Sequence, residues 1–329
     1  MKKLKFAKLV GVSLLLGSVI VSQLGCQRSP QYRRDEDYTR TADPQSYYSN
    51  AGGKTVSQRV EAMGQPKKRV VVLNFWNDTP VKQADLGAFA ADELKRGLFL
   101  TQRITLPPEA KTELGTEDFI QGEKVKVAQL IREGRRMGVA VLVIGRVTRI
   151  VFRQRGDDIG ILRQKQSLAA VDVEVKVFDV QGGREVLADM KSGEASSNAM
   201  VALENNNIES PQYRAELTKF AVRNAAIQIV PSVTKAIEKM SWQGRVAKIQ
   251  GSKIYVNAGR ASGLVIQDIL KVLTPGDDVY DPTTGAFLGR SQGQLKGTLE
   301  VVDFLGPDGA VTEIHTGGNF QEGDSVQLY

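Results

Sequence analysis

The sequence predicts an α+β chain: a mixed-sheet α/β sandwich domain followed by a small all-β barrel or sandwich domain. Three observations predict it. The near-continuous apolar run "RVVVLNFWN" from Arg69 and the strictly alternating run "VDVEVKVFDV" from Val171 both read as strands. Segments with apolar residues at helical spacing lie around them. From Trp242 to Tyr329, turn residues recur roughly every 8–12 positions between short apolar runs, the pattern of a small all-β unit.

Taken in order, Lys2, Lys3, Lys5 and Lys8 precede an apolar stretch from Leu9 to Val21. A basic start followed by a short apolar core reads as a secretory leader, too short for the ~20 residues of a spanning helix. Leu24-Gly25-Cys26 follows and resembles the lipobox of bacterial lipoproteins, although Gln23 and Leu24 depart from the aliphatic and small residues preferred there. Cys26 is the single cysteine of the chain, so neither an internal disulfide nor a cysteine metal cluster is available to it. The resemblance implies a signal peptide over 1–25, lipidation at Cys26, and, with Gln27 rather than aspartate next, delivery to the periplasmic face of the outer membrane. Residues 26–67 are polar, mixed in charge and without apolar periodicity, which reads as a flexible tether.

The α/β domain is expected over 68–241. The run from Arg69 is bounded by Asn77-Asp78-Thr79-Pro80 and reads as a buried strand. Asp85 is placed to cap a helix carrying Leu86, Phe89, Ala90, Leu94 and Leu98 on one face. Val127, Leu130, Ile131 and Gly134 repeat the helical spacing, and "VAVLVIGRVTRIVF" from Val139 reads as a second buried strand. The alternating strand puts Val171, Val173, Val175 and Val177 inward. Gln181-Gly182-Gly183 then turns the chain into a hairpin partner starting at Arg184. Ser210-Pro211 marks a helix start, and Pro231 is expected to kink or break the helix that follows. Over 242–329, "GLVIQDILKV" (Gly263 to Val272) and "FQEGDSVQL" (Phe320 to Leu328) echo one device, a turn leading into a strand.

No catalytic constellation emerges. His315 is the one histidine and no nucleophile-elbow serine accompanies it; Gly52-Gly53-Lys54-Thr55 lacks the upstream glycine of a phosphate loop. The pairs Asp157-Asp158 and Asp277-Asp278 and the segment Asp281 to Gly285 sit beside glycine and read as turns, with a cation site as the alternative. No metal, cofactor or enzymatic activity is expected. The chain carries 44 Lys+Arg against 37 Asp+Glu, and loss of the four leader lysines leaves 40 against 37. That balance argues against nucleic-acid binding. Arg149, Arg153, Arg155 and Arg163 gather around the first acid pair, either as a solvated hairpin or as a contact for the membrane or an acidic partner.

"VVVLNFWNDT", "GVAVLVIGRV" (Gly138 to Val147) and "VDVEVKVFDVQGGREV" (Val171 to Val186) together resemble the curli secretion-channel lipoprotein family, and more broadly the N-terminal domain of the Tol-system propeller protein. The C-terminal "VNAGRASGLVIQDILKV" and "GRSQGQLKGTLEVV" resemble the C-terminal β domain of flagellar outer-ring proteins. There the turn reads Gly-Asp; Gly323-Asp324 keeps it and Gln267-Asp268 does not. The resemblance implies an outer-membrane lipoprotein that forms a homo-oligomer and meets envelope or secretion proteins. The family's pore is made from membrane hairpins, each requiring strands of ~10 residues with an apolar row. The rows offered between Thr148 and Ala170 are Ile150, Phe152, Gln154 and Leu162, Gln164, Gln166, Leu168, both interrupted by glutamine. A second hairpin after Val186 meets Pro211 too soon. The expectation is therefore a non-enzymatic assembly scaffold, with a curli-type secretion channel or an activator of a cell-wall enzyme as alternatives.

Overall fold

The computed structural model describes residues 66–81, 85–108, 113–122, 124–156, 165–196 and 210–329. The leader, Cys26 and the tether up to residue 65 lie outside the described residues, as do Asp157, Asp158 and Arg163. The last two tether positions are docked rather than free: Pro66 is buried, and the Lys67 N–H donates to the Ser262 carbonyl at 2.7 Å.

Eight strands belong to the N-terminal layers: β1 (Lys68–Val72), β2 (Trp76–Asn77), β3 (Ile104–Thr105), β4 (Ile120–Gln121), β5 (Lys124–Val125), β6 (Val141–Gly156), β7 (Lys165–Asp179) and β8 (Arg184–Ser196). The main sheet runs β3-β1-β6-β7-β8, with β2 continuing β1 along β6. β1 is parallel to β3 and β6, whereas β6, β7 and β8 form an antiparallel meander, so the sheet is mixed as expected.

Helices α1 (Leu86–Leu100) and α3 (Pro211–Glu238) cover one face, and α2 (Val127–Arg136) covers part of the other. β1 is buried on both sides: Val70 and Val72 meet the helix pair, while Val71 meets the cluster around α2. That double burial is why the run is apolar throughout. β7 needs alternation because Val171, Val173, Val175 and Val177 face the helix pair and Asp172, Glu174 and Lys176 face away. Gly134 is fixed by closeness, since a Cβ there would lie 2.7 Å from Val180 Cγ2 and 2.8 Å from Leu142 Cδ1.

Two local expectations change. Asp85 stands at the helix start with φ 66° and makes no side-chain cap bond. Ser210 does cap, its Oγ accepting from the Tyr213 N–H at 3.2 Å with Pro211 in the first turn. Pro231 does not break α3, which continues as one 28-residue helix; the proline is on the solvent side, where a carbonyl left without its donor meets water.

The C-terminal strands are β9 (Gln243–Gln250), β10 (Lys253–Val256), β11 (Ile269–Leu273), β12 (Asp278–Tyr280), β13 (Phe287–Arg290), β14 (Leu295–Leu305), β15 (Gly309–Gly317) and β16 (Ser325–Leu328). Six close into a barrel in the order β10-β15-β14-β11-β16-β9. Its core holds Trp242, Val246, Ile254, Leu270, Leu299 and Val326 among others. The two echoed segments are the same device in space. Asp268 Oδ2 accepts the Val265 N–H at 2.8 Å, and Asp324 Oδ2 accepts the Gln321 N–H at 2.7 Å. Gln267 and Gly323 hold the left-handed position (φ 73° and 92°), and the strands they launch, β11 and β16, pair with each other.

Candidate functional site

Of the four hairpin arginines, Arg149 and Arg153 have described side chains, and these two do not converge on one another. A β-bulge between Val147 and Arg149 leaves Thr148 out of register and inverts the faces beyond it. Arg149 therefore lies on the face opposite α1 and α3, where its Nε meets Asp172 Oδ2 at 2.6 Å. One step along, Arg146 Nε reaches Glu174 Oε2 at 2.5 Å, with Asp78 at 3.6 Å and Lys176 at 3.6 Å from Glu174. These are paired charges on a partly open face, each worth about 0–1 kcal/mol. Arg153 is exposed on the same face opposite Leu168. Arg155 belongs to β6 by its backbone, with its side chain outside the described residues, as is all of Arg163.

The bulge also decides what the row of Ile150 and Phe152 faces. Both now share the helix side of the sheet. Ile150 packs against the core under α1 and α3, and the Arg214 guanidinium of α3 lies 5.5 Å from the Phe152 ring centre.

The turn acids separate in the structure. Asp281 Oδ1 accepts the Thr283 and Thr284 N–H groups at 2.7 and 2.8 Å, a turn as expected, and those bonds hold its pKa below the ordinary carboxylate value. Asp278 is instead the first residue of β12 and belongs to a junction that sequence reasoning missed. Its Oδ2 takes Arg135 Nη2 at 3.0 Å, and its Oδ1 takes Arg290 Nε at 3.1 Å. His315, on β15, pairs its Nδ1 with Thr298 Oγ1 at 3.0 Å. Among the described residues no three His, Cys, Asp or Glu side chains group as metal ligands.

At this junction the β12–β13 hairpin, an excursion from the barrel between β11 and β14, closes onto the end of α2 and the β7–β8 turn. Phe287 packs on the α2 cluster, the Arg290 N–H donates to the Gly182 carbonyl at 3.3 Å, and Arg290 Nη2 donates to the Gly276 carbonyl. From the barrel wall, Arg245 Nη1 donates to the Arg135 carbonyl at 2.8 Å, and Asn257 Nδ2 donates to the Gly138 carbonyl at 3.3 Å. Arg69 Nη1 returns a bond to the Asn257 carbonyl at 3.4 Å. Between these contacts remains a cavity of about 220 Å³ lined by Arg135, Arg245, Arg290, Asn257 and Ser325. Burial, and next the neighbouring Arg135 guanidinium, push the pKa of Arg245 and of Arg290 down. The sequence hint was "PGDDVY…FLGR", a turn-strand-turn-strand run with charge at both ends.

No protein-family model matches the chain, and no curated protein matches it. Among solved structures, a hypothetical Chlamydia trachomatis protein, CT253, is similar at 13% identity and TM-score 0.36, over 52% of this chain and 98% of that one. A minor lipoprotein from Acinetobacter baumannii matches at 15% identity and TM-score 0.27, over 51% and 93%. A PelC dodecamer from Paraburkholderia phytofirmans matches at 14% identity and TM-score 0.28, over 51% and 88%. All three TM-scores lie below 0.5, so the likeness assigns no function to this chain.

Proposed function

We propose that the chain is an envelope lipoprotein, held by lipid on Cys26 at the periplasmic face of the outer membrane, that serves as a non-enzymatic assembly scaffold for surface-structure export or other envelope machinery. The basic leader and the single cysteine directly after it support the anchor. The scaffold rather than channel reading rests on one observation: the apolar row is split, Ile150 packing against the protein's own core while Phe152, 36% exposed, lies beside the Arg214 guanidinium on the side of α3. A lipid-facing strand requires that row at its outer surface. Self-association and contact with envelope proteins belong to the same reading, with Arg149 and Arg153 on the open sheet face.

The test replaces the leader with an ordinary secretory signal and combines it with Cys26→Ala. Release into the periplasm without detergent, with the parent chain remaining in the outer membrane, is the expected result. A variant that still requires detergent and migrates as a large oligomer would overturn the scaffold reading in favour of a curli-type channel.

A further inference from the structure

We propose that the cavity between the α/β layers and the barrel binds a phosphate group, gripped by Arg135, Arg245, Arg290 and Ser325. Three guanidiniums come to it from three elements: the last turn of α2, β9 and β13. One carboxylate is hydrogen-bonded to them, and both of its oxygens are engaged, Asp278 Oδ2 by Arg135 and Oδ1 by Arg290, while the Asp277 carboxylate acts on Arg290 through its charge alone. Arg245 has no carboxylate partner within 4.0 Å among the described residues; its Nη1 rests on the Arg135 carbonyl. Asp277, beside Asp278, is exposed. A cluster with more guanidiniums than carboxylates in a recessed site costs free energy that an incoming anion offsets.

A second observation points to the same place. Ser325, at the start of β16, is 6% exposed and lines the cavity, and its Oγ has no hydrogen-bond partner. A buried hydroxyl without a partner is a standing cost that a ligand oxygen removes. The donor set favours a tetrahedral oxyanion over a carboxylate. A planar carboxylate is satisfied by two guanidiniums, as Asp278 already is, whereas three guanidiniums and a hydroxyl approaching from separate elements suit an acceptor with three or four oxygens. The charge of about −1.5 to −2 on a phosphate at neutral pH also matches the excess of cations. The cavity is larger than a bare phosphate fills, so a short organic group fits behind it. Because the grips come from both the α/β layers and the barrel, bound phosphate fastens the β12–β13 hairpin onto α2.

The test is calorimetric titration of the purified full chain with inorganic phosphate and, separately, with glycerol 3-phosphate as a soluble lipid headgroup, in chloride of matched ionic strength. Saturable one-site binding that chloride does not reproduce is expected, together with a rise in melting temperature. Equal affinity for the two probes assigns the site to the phosphate group itself; tighter binding of glycerol 3-phosphate assigns it to a headgroup-type organophosphate. Arg245→Gln should weaken binding about tenfold or more, the scale of one charge-assisted hydrogen bond. Ser325→Ala should weaken it several-fold without lowering the melting temperature, because the hydroxyl it removes holds nothing in the free protein. If Arg245→Gln does not fold, Ser325→Ala carries the test alone. Absence of saturable binding at millimolar phosphate, or unchanged affinity in Ser325→Ala, overturns the proposal.

Discussion

Lys68 makes the protein more stable as the solution becomes more alkaline. It belongs to β1, is 3% exposed, and its Nζ donates to the Glu238 carbonyl at the end of α3 at 3.3 Å. Burial pushes its pKa down from 10.5 to about 8, the Glu238 carboxylate pulling part of the way back. The same carboxylate is shared with Arg103, 3.5 Å away, so Lys68 does not hold it alone. Below about pH 8 the amine is charged in both states and the folded chain carries the full cost of keeping that charge out of water. Between about 8 and 10.5 the unfolded chain binds more protons than the folded one, so stability rises with pH and levels off above 10.5. A fall from 10.5 to about 8, at ~1.36 kcal/mol per pH unit, comes to about 3 kcal/mol, and to about 2 kcal/mol once water at the amine is allowed for. Lys68→Met keeps the aliphatic stem and removes the charge. Urea unfolding of both proteins from about pH 7 to about pH 10.5 measures the difference, since every other lysine and tyrosine titrates in both. The variant should be the more stable by about 2–3 kcal/mol at the low end, with the gap closing by the high end. Parallel curves across that range would refute the reasoning.

Three further outcomes are expected. Gly193→Ala puts a Cβ 2.1 Å from the Ala221 carbonyl oxygen and 2.3 Å from the Ala225 nitrogen; α3 must shift off β8, and the urea midpoint should drop by the equivalent of about 3 kcal/mol or more. Gln267→Gly relieves a left-handed non-glycine residue and should raise stability by about 0.5–1 kcal/mol, whereas Gly323→Gln should lower it by a similar amount, both read by thermal melting. Asp278→Asn leaves Arg135 and Arg290 facing each other without their shared carboxylate. It should cost about 2–3 kcal/mol and raise amide exchange at Arg290, whose N–H is bonded to Gly182.

Most of the elements were legible because their signals are local. The valine alternation of β7 survives translation into space since one face meets the helix pair and the other meets charge. Ser210-Pro211 carries its own cap, and the two turns before β11 and β16 each close on an aspartate, Asp268 and Asp324, that accepts the N–H three residues back. What escaped depends on distance or on register. The bulge at Thr148 has no glycine or proline to announce it, so a row counted straight through it lands on the wrong face. Asp278 reads as a turn residue in the sequence because its neighbours Gly276 and Asp277 are turn formers, whereas its partner Arg135 lies 143 residues away. Arg245 and Ser325 look like ordinary strand residues; they are cross-strand partners on β9 and β16, and packing of the barrel against α2 makes their face a cavity wall.

The bulge also sets the terms on which a scaffold could become a channel. Beyond Thr148 the face of the hairpin opposite α1 and α3 reads Arg149, Val151 and Arg153 on β6 against Asp172, Ala170 and Leu168 on β7, a mixture suited to water or a partner. The apolar pair that lipid would accept, Ile150 and Phe152, is on the side where α3 begins. Presenting it to a bilayer requires the first turns of α3 to leave the sheet, exposing Tyr213 and Leu217, which are 5% and 0% exposed. At about 1.5–3 kcal/mol for each buried apolar side chain, that withdrawal costs several kcal/mol per subunit before any strand is inserted. The Ser210 cap and the stacking of Arg214 on Phe152 add to it. A single chain has no source for that free energy within its own fold. Conversion would require neighbouring subunits or the bilayer to supply it, so under the proposed scaffold reading this hairpin stays packed beneath α3.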